Sequence, residues 1–285
     1  MIPFPLPPLL TEPLIRRALE EDLGDAGDLT TLATLSDGTE AQATISSRRD
    51  GRAAGVELAC RVFAAVDPAL TIERAREDGD DLAPGDAILS VRGSAASLLT
   101  AERTALNLLG HLSGVATATH GLVRAVEGTG CRIACTRKTL PGLRAVQKHA
   151  VLCGGGSNHR FALSDAVMIK DNHVIAAGGV AAALRAAHER IGHLVKIEVE
   201  IDRLDQLEDA LVGGADVVLL DNMAPDDLRE AVRIAGGRAI LEASGTITLD
   251  TVRAVAETGV DVISSGWITH SAPTLDIGME LTLAD

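Results

Sequence analysis

The chain has 285 residues, 46% of them hydrophobic, which is enough for one large or two moderate globular domains. A net charge of −14 and an aromatic content of 1% argue against a nucleic-acid-binding protein, which needs a basic face and stacking platforms. The opening MIPFPLPPLL has prolines and no basic residue, which is unlike a signal peptide or a membrane span. Cys60, Cys131, Cys135 and Cys153 lack CxxC spacing, so we expect neither disulfides nor a zinc site, and a cytoplasmic location.

The first hundred residues predict a small α/β domain. Residues 11–24 have the pattern of an amphipathic helix, with Thr11 as N-cap, Pro13 in the first turn and Gly24 after the end. Alternating polar and apolar residues at 40–55 and 86–97 predict strands, and VELACRVFAAV between them has helical spacing. The strongly helical segment 98–128 then leads into a second domain.

A repeat of strand and helix begins near residue 131. Six short apolar runs each end in polar residues and precede a helical stretch: RIACTRK, AVMIKDN, VKIEVE, DVVLLDN, RAILEASG and DVISSG. This pattern predicts parallel strands with right-handed crossovers, as in a (β/α) barrel or a relative with fewer strands. An open doubly wound sheet is the alternative, although no GxGxxG follows an early strand. In either fold we expect the functional site at the carboxyl ends of the strands.

The six strand ends differ in chemistry. The first two ends and their connection supply cations, the next two supply carboxylates, and the last two supply small residues: Arg137, Lys138, His159, Arg160 and Lys170; Glu200 and Asp221; Ser244-Gly245 and Ser265-Gly266. Residues 132–170 are a basic island in an acidic chain, which favours an anion site over chance clustering of surface charges. Taken singly, these residues are ordinary turns, caps or surface charges. Together they predict a site for a phosphorylated sugar with Mg²⁺ beside a polycarboxylate.

The segment TRKTLPGLRAVQKHAVLCGGGSNHRFALSDAVMIKDNHV (136–174) closely resembles the signature of the quinolinate phosphoribosyltransferase family. Further matches are EDLGDAGDLTT, LLTAERTALNLLGHLSGVAT, EVE, LLDN, LEASG and THSAPTLDIGM. The resemblance implies an enzyme of NAD biosynthesis that converts quinolinate and phosphoribosyl diphosphate to nicotinate mononucleotide, diphosphate and CO₂ with Mg²⁺. It also implies an N-terminal α/β sandwich domain (1–115, joined by the tail 271–285), an incomplete (β/α) barrel (116–270), and a homodimer or larger assembly.

The same resemblance implies roles for individual residues. Quinolinate would be bound by Arg137, Lys138, His159, Arg160 and Lys170, with Arg103 reaching in from the neighbouring subunit. Phosphoribosyl diphosphate would be bound by Lys138, Glu200, Asp221, Ser244, Gly245, Ser265 and Gly266. Glu200 and Asp221 would hold Mg²⁺ directly or through water and stabilise the oxocarbenium-like transition state, and Lys138 would bridge the two reacting molecules.

Three positions depart from the family pattern. His149 stands where tyrosine is common, Trp267 follows Gly266 where a small residue is usual, and Phe161-Ala162 replaces Leu-Gly. None of them removes a charge that the chemistry needs. Two alternatives are a paralogue, the molybdenum-operon phosphoribosyltransferase-like protein, and a non-catalytic metabolite-binding barrel.

Overall fold

The computed structural model of the chain describes residues 6–283, so residues 1–5 of the opening segment and the last two residues of the tail lie outside the described residues. The helices are α1 (Pro8–Leu23), α2 (Leu29–Thr34), α3 (Val56–Val66), α4 (Ala95–Ala125), α5 (Arg144–Cys153), α6 (Asp171–Ala177), α7 (Val180–Arg190), α8 (Leu207–Val212), α9 (Pro225–Ala235), α10 (Val252–Ala256) and α11 (Trp267–His270). The strands are β1 (Glu40–Ser47), β2 (Gly51–Arg52), β3 (Thr71–Arg74), β4 (Asp81–Leu82), β5 (Ala87–Ser94), β6 (Arg132–Ala134), β7 (Val167–Ile169), β8 (Ile197–Ile201), β9 (Val217–Asp221), β10 (Ile240–Ser244), β11 (Val262–Ser264) and β12 (Ile277–Leu283). Among residues 6–283, no helix combines the length and the apolar character needed to cross a bilayer.

The chain divides into two compact units, and the first is built on an antiparallel sheet. This unit comprises Met1–His120, Leu140–Gly155 and Ser271–Asp285. Its sheet has the order β12-β1-β5-β3, so the last strand of the chain pairs with the first. On β1, Ala41, Ala43 and Ile45 are fully buried while their neighbours are not, as the alternating sequence predicts. The α/β character expected of the N-terminal domain is confirmed.

Helix α1 begins earlier than the sequence predicts. It starts at Pro8, whose fixed φ suits the first turn of a helix, so Thr11 lies inside the helix and is not its N-cap. Thr11 is buried, and its hydroxyl donates to the carbonyl oxygen of Pro8 at 3.2 Å and accepts from Arg61 at 2.8 Å. Pro13 likewise stands within the helix rather than in its first turn. The predicted end is correct, because Gly24 follows with a φ of 54°.

The second unit, Gly121–Thr139 and Gly156–His270, contains a six-stranded parallel sheet. Each of the six predicted apolar runs forms one of its strands, in the order β6-β11-β10-β9-β8-β7. The first two strands along the chain therefore lie at opposite edges, and the sheet does not close between them. Ser157 extends the β6 edge through a parallel bridge to Ala134. This arrangement confirms an incomplete (β/α) barrel and brings the polar strand ends to one edge.

Candidate active site

A cavity of about 640 Å³ lies at the carboxyl ends of the parallel strands. Every residue that lines it belongs to the second unit: Thr136, Arg137, Lys138, His159, Arg160, Met168, Lys170, Glu200, Leu219, Asp221, Asn222, Glu242, Ser244, Gly245, Thr246 and Ser264. Cations come from the β6 and β7 ends and the connection between them, and carboxylates come from β8, β9 and β10. The lining of the cavity therefore contains both cationic and anionic groups.

Two guanidinium groups, those of Arg137 and Arg160, line the cavity together. Burial lowers the pKa of Arg160, and repulsion from the neighbouring Arg137 lowers it further, while Glu198 and Asp165 act in the opposite direction. Arg160 is held in place by a hydrogen bond from its Nη1 to the carbonyl oxygen of Ala166, at 3.0 Å. Two forks that repel each other in one cavity favour an incoming group with more than one carboxylate.

Lys170 and Glu200 form an ion pair at the β7 and β8 ends of the cavity. Lys170 Nζ donates to Glu200 Oε2, and the lysine backbone N–H donates to Nδ1 of His173 at 3.0 Å. The strand register explains the pairing. Met168 on β7 lies opposite Glu198 on β8, and two residues further along the chain from each come Lys170 and Glu200.

Asp221 and Asn222 form a second polar pair at the end of β9. Asn222 has a φ of 53°, the left-handed conformation that asparagine tolerates better than most residues. In this conformation its backbone N–H donates to the carbonyl oxygen of Ser244, and its side-chain amide donates to Asp221 Oδ2, both at 2.9 Å. Asn222 therefore fixes the orientation of the Asp221 carboxylate, a role that the sequence analysis missed.

His159 has protein partners at both ring nitrogens. Its Nδ1 accepts a hydrogen bond from the backbone N–H of Arg160 at 2.8 Å, and its Nε2 lies 2.9 Å from Glu198 Oε2. Because an acceptor Nδ1 cannot carry a proton, this network assigns the neutral tautomer, in which Nε2–H donates to Glu198. His159 lines the cavity as predicted, and in this tautomer it carries no positive charge.

Two buried glutamates were also missed by the sequence analysis: Glu242, which lines the cavity, and Glu198, which contacts the lining residue His159. Glu198 and Glu242 are 5% exposed, and Glu242 Oε1 lies 3.9 Å from the same nitrogen of His159. Burial raises the pKa of Glu242 to about 7, and repulsion from the nearby Glu198 carboxylate adds to this rise. The sequence does hold a signal: side chains two apart on a strand share a face, so EVE and EAS place Glu198 and Glu242 under Glu200 and Ser244.

Comparison with known proteins accounts for both units. Residues 28–113 match the N-terminal domain and residues 115–280 the C-terminal domain of the family described as quinolinate phosphoribosyl transferase. This chain belongs to the quinolinate phosphoribosyltransferase family.

Relatives in this family cover almost the whole chain. The nicotinate-nucleotide pyrophosphorylase [carboxylating] of Mycobacterium leprae is 46% identical over 94% of this chain and 95% of its own. A probable enzyme of the same name from Bacillus subtilis is 42% identical over 95% and 93% of the two chains. Among solved structures, NadC from Streptococcus pyogenes superposes with a TM-score of 0.95 at 38% identity, covering 99% of this chain and 100% of its own.

Nine of the predicted site residues line the cavity: Arg137, Lys138, His159, Arg160, Lys170, Glu200, Asp221, Ser244 and Gly245. Three others do not. Ser265 is buried and its backbone N–H donates to the carbonyl oxygen of Ala134, whereas Gly266 lies against Lys138, where an added Cβ would come within 2.9 Å of Cδ. Arg103 is exposed on α4 in the first unit. The roles of all twelve residues stay predictions.

The three departures from the family pattern lie outside the cavity lining. Trp267 begins α11 and is partly buried, Phe161 is 44% exposed, and His149 is buried in the first unit.

The glycine triplet ahead of His159 has two distinct roles. At Gly154 an added Cβ would lie 2.4 Å from the carbonyl oxygen of Ala116, and Gly155 has a φ of 83°.

Proposed function

We propose that this chain transfers the phosphoribosyl group of phosphoribosyl diphosphate to quinolinate and releases diphosphate, CO₂ and nicotinate mononucleotide. The observation that carries the proposal is one cavity whose lining combines paired guanidinium groups, the carboxylates of Glu200 and Asp221 with the buried Glu242, and a Ser-Gly-Thr turn. The guanidinium groups match a dicarboxylate, the carboxylates match a pentose, and the turn matches a phosphate. Family membership places this reaction in NAD biosynthesis.

The cations of the cavity would orient quinolinate. Arg137 and Arg160 offer planar forks to its two carboxylates, and binding a dianion relieves their mutual repulsion. The Arg160 backbone N–H donates to Nδ1 of the neutral His159, whose Nε2–H donates to Glu198. These two hydrogen bonds position the Arg160 backbone. Fixing both carboxylates aims the ring nitrogen at the anomeric carbon, which converts a bimolecular attack into an effectively intramolecular one.

The carboxylates would act on the phosphoribosyl half. Displacement of diphosphate builds positive charge on the anomeric carbon, which Glu200 and Asp221 would stabilise electrostatically, and Lys138, in the same lining, would bridge the two reacting molecules. After the C–N bond forms, loss of the adjacent carboxylate leaves its electron pair on the ring carbon beside the cationic nitrogen, and a proton then replaces CO₂. The nitrogen is itself the electron sink.

The donor set of the cavity fits Mg²⁺. Lys170 donates to Oε2 of Glu200 and Asn222 donates to Oδ2 of Asp221, so the other oxygen of each carboxylate would be the one to bind a hard cation. Mg²⁺ is typically held by one or two carboxylates together with substrate phosphates. Glu200 and Asp221 would hold it here, and when bound it would neutralise the charge of the leaving diphosphate.

We also propose that the enzyme is a cytoplasmic homodimer in which Arg103 completes the neighbouring subunit's site. The exposure of Arg103 on α4 supports this, because an unburied guanidinium is available to a second copy of the chain. Four free, buried cysteines support a reducing compartment.

Mixing two inactive variants tests the shared site. Arg103→Ala and Lys138→Ala should each be inactive alone, because each removes one cation from every site. After subunit exchange, half of the dimers combine one copy of each, and one of their two sites is then intact, so about a quarter of wild-type activity should return. The measurement is diphosphate release before and after exchange, with native mass spectrometry to verify mixed dimers. Mixed dimers without activity would rule out sharing.

Gly245→Ala should weaken binding of phosphoribosyl diphosphate. Gly245 has a φ of 142°, and an added Cβ would lie 2.4 Å from Asn222 Oδ1, so alanine displaces the amide that orients Asp221. We expect KM for phosphoribosyl diphosphate to rise about ten-fold and stability to fall by about 1–3 kcal/mol. Gly237→Ala is the matched control, since Gly237 also has a positive φ but no atoms within 4 Å of an added Cβ. Equal KM values for the two variants would contradict the assignment.

The decisive experiment incubates the enzyme with quinolinate, phosphoribosyl diphosphate and Mg²⁺ and follows nicotinate mononucleotide and CO₂. Nicotinate is tested in parallel as the monocarboxylate. Turnover of quinolinate alone supports the proposal, and turnover of nicotinate alone would reassign the enzyme. Binding of either without diphosphate release would favour a non-catalytic barrel.

A further inference from the structure

The first unit contains a buried cluster of three metal-ligating side chains, Asp78, His149 and Cys153, which the reaction does not use. His149 and Cys153 are four residues apart on α5, so they lie on the same face of the helix one turn apart. Cys153 is 2% exposed and His149 8%, while the Asp78 side chain keeps 16%. Asp78 Oδ2 lies 2.7 Å from His149 Nε2.

The three side chains converge on one point. Their candidate ligand atoms all lie within 4.8 Å of one another. A tetrahedral ion with ligands at about 2.0–2.3 Å keeps its ligand atoms about 3.3–3.7 Å apart, so rotamer adjustments of about 1 Å would open the 2.7 Å contact between Asp78 and His149 and close any longer separation to bonding geometry. We propose that Asp78, His149 and Cys153 form a binding site for a borderline divalent transition ion, Zn²⁺ in the first instance, with water as the fourth ligand.

A separate observation also points to a ligand at this place. Nδ1 of His149 is buried and has no hydrogen-bond partner among residues 6–283, which is an uncommon state for a buried ring nitrogen. Mixed imidazole, thiolate and carboxylate donors suit Zn²⁺ or Co²⁺ better than Mg²⁺. Asp78 is already oriented as a ligand would be, since its Oδ1 accepts the backbone N–H of Val56 at 2.8 Å.

An ion can reach the cluster from solvent. A cavity of about 430 Å³ in the first unit is lined by Asp78 and His149, together with Glu57, Glu77 and Arg74. Arg61 and Arg74 offset Glu57 and Glu77, and Asp78 is the remaining charge, so the wall does not repel a cation. The spacing of the cysteines along the sequence did not indicate this site. One of the three side chains, Asp78, is 71 residues from His149 along the chain, so no short motif contains all three. The bound ion would tie the segment around Asp78 to helix α5.

Cobalt provides a direct test. The full-length protein is freed of metal by dialysis against a chelator and titrated with Co²⁺ while its absorption spectrum is recorded. We expect one Co²⁺ per chain, a near-ultraviolet thiolate-to-cobalt charge-transfer band, and intense visible bands of tetrahedral cobalt. Stoichiometric Zn²⁺ should bleach the spectrum and raise Tm. Since the readout is metal binding and not turnover, its failure would leave the proposed reaction untouched.

Three variants test the ligands. Cys153→Ala should abolish the charge-transfer band, and His149→Tyr should weaken cobalt binding at least ten-fold while keeping an O–H donor for Asp78. Asp78→Asn should also weaken binding, although its carbonyl still accepts from Val56. Cys131→Ala, at a buried thiol in the second unit, is the matched control and should leave the spectrum unchanged. A wild-type titration without the band, or a band that persists in folded Cys153→Ala protein, would overturn the proposal.

Discussion

Arg160→Ala enzyme is expected to turn over quinolinate with kcat/KM about 30- to 1000-fold below wild type, which is about 2–4 kcal/mol of transition-state stabilisation. The Arg160 guanidinium lines the cavity beside Arg137, and its Nη1 bond to the Ala166 carbonyl fixes its direction. Alanine removes one planar fork, so one carboxylate of the substrate is left without its bidentate partner and the ring nitrogen loses its alignment.

Two further variants separate charge from geometry at this position. Arg160→Lys keeps the positive charge but not the fork, so its loss should fall between those of wild type and alanine. Arg132→Ala removes an exposed arginine from strand β6 of the same unit and should leave kcat/KM unchanged. Steady-state kinetics with quinolinate as the varied substrate give all three values. A wild-type kcat/KM in Arg160→Ala would refute the role of this residue.

Glu242→Gln is expected to stabilise the protein at alkaline pH by an amount on the order of 3 kcal/mol and to change stability little near pH 5. The folded protein raises the pKa of Glu242 from 4.5 to about 7, chiefly by burial and then by repulsion from Glu198. Above that pKa the native state must hold a second buried carboxylate beside the first. Glutamine resembles the protonated form and avoids this cost at every pH.

The direction of the pH dependence follows from proton binding. Between the unfolded pKa of 4.5 and the folded pKa of about 7, the native state binds more protons than the unfolded state. The free energy of unfolding therefore falls as pH rises through this window and levels off above it. In the variant this contribution is absent, so the difference between the two proteins grows from about pH 5 to about pH 8.

Denaturant unfolding at both pH values measures the difference. Glu189→Gln, at an exposed glutamate on α7, is the control and should show the same small change at each pH. A stability difference between Glu242→Gln and wild type that does not depend on pH would show that Glu242 is ionised throughout the range.

The sequence by itself determined the class of the fold and most of the cavity. Apolar runs ending in polar residues predicted all six parallel strands, because burial on both faces requires such runs and the carboxyl ends share one edge. The charged residues at those ends line one cavity for the same reason. Hydrophobic periodicity locates α3 at Val56–Val66 as predicted. The start of α1 was less determinate, since both Thr11 and the preceding prolines suit a first turn.

Only the tertiary structure decided which charges meet. The pairing of Lys170 with Glu200, the support of Asp221 by Asn222 and the neutral state of His159 depend on the register of neighbouring strands and on a left-handed residue. Glu242 lies beside Glu198 although β9 separates their strands in the sheet, because the sheet curves and both side chains point inward. Asp78 likewise meets His149 across 71 residues of chain. Sequence patterns report which face a residue occupies, whereas contacts between distant residues arise only when the folded chain brings those faces together.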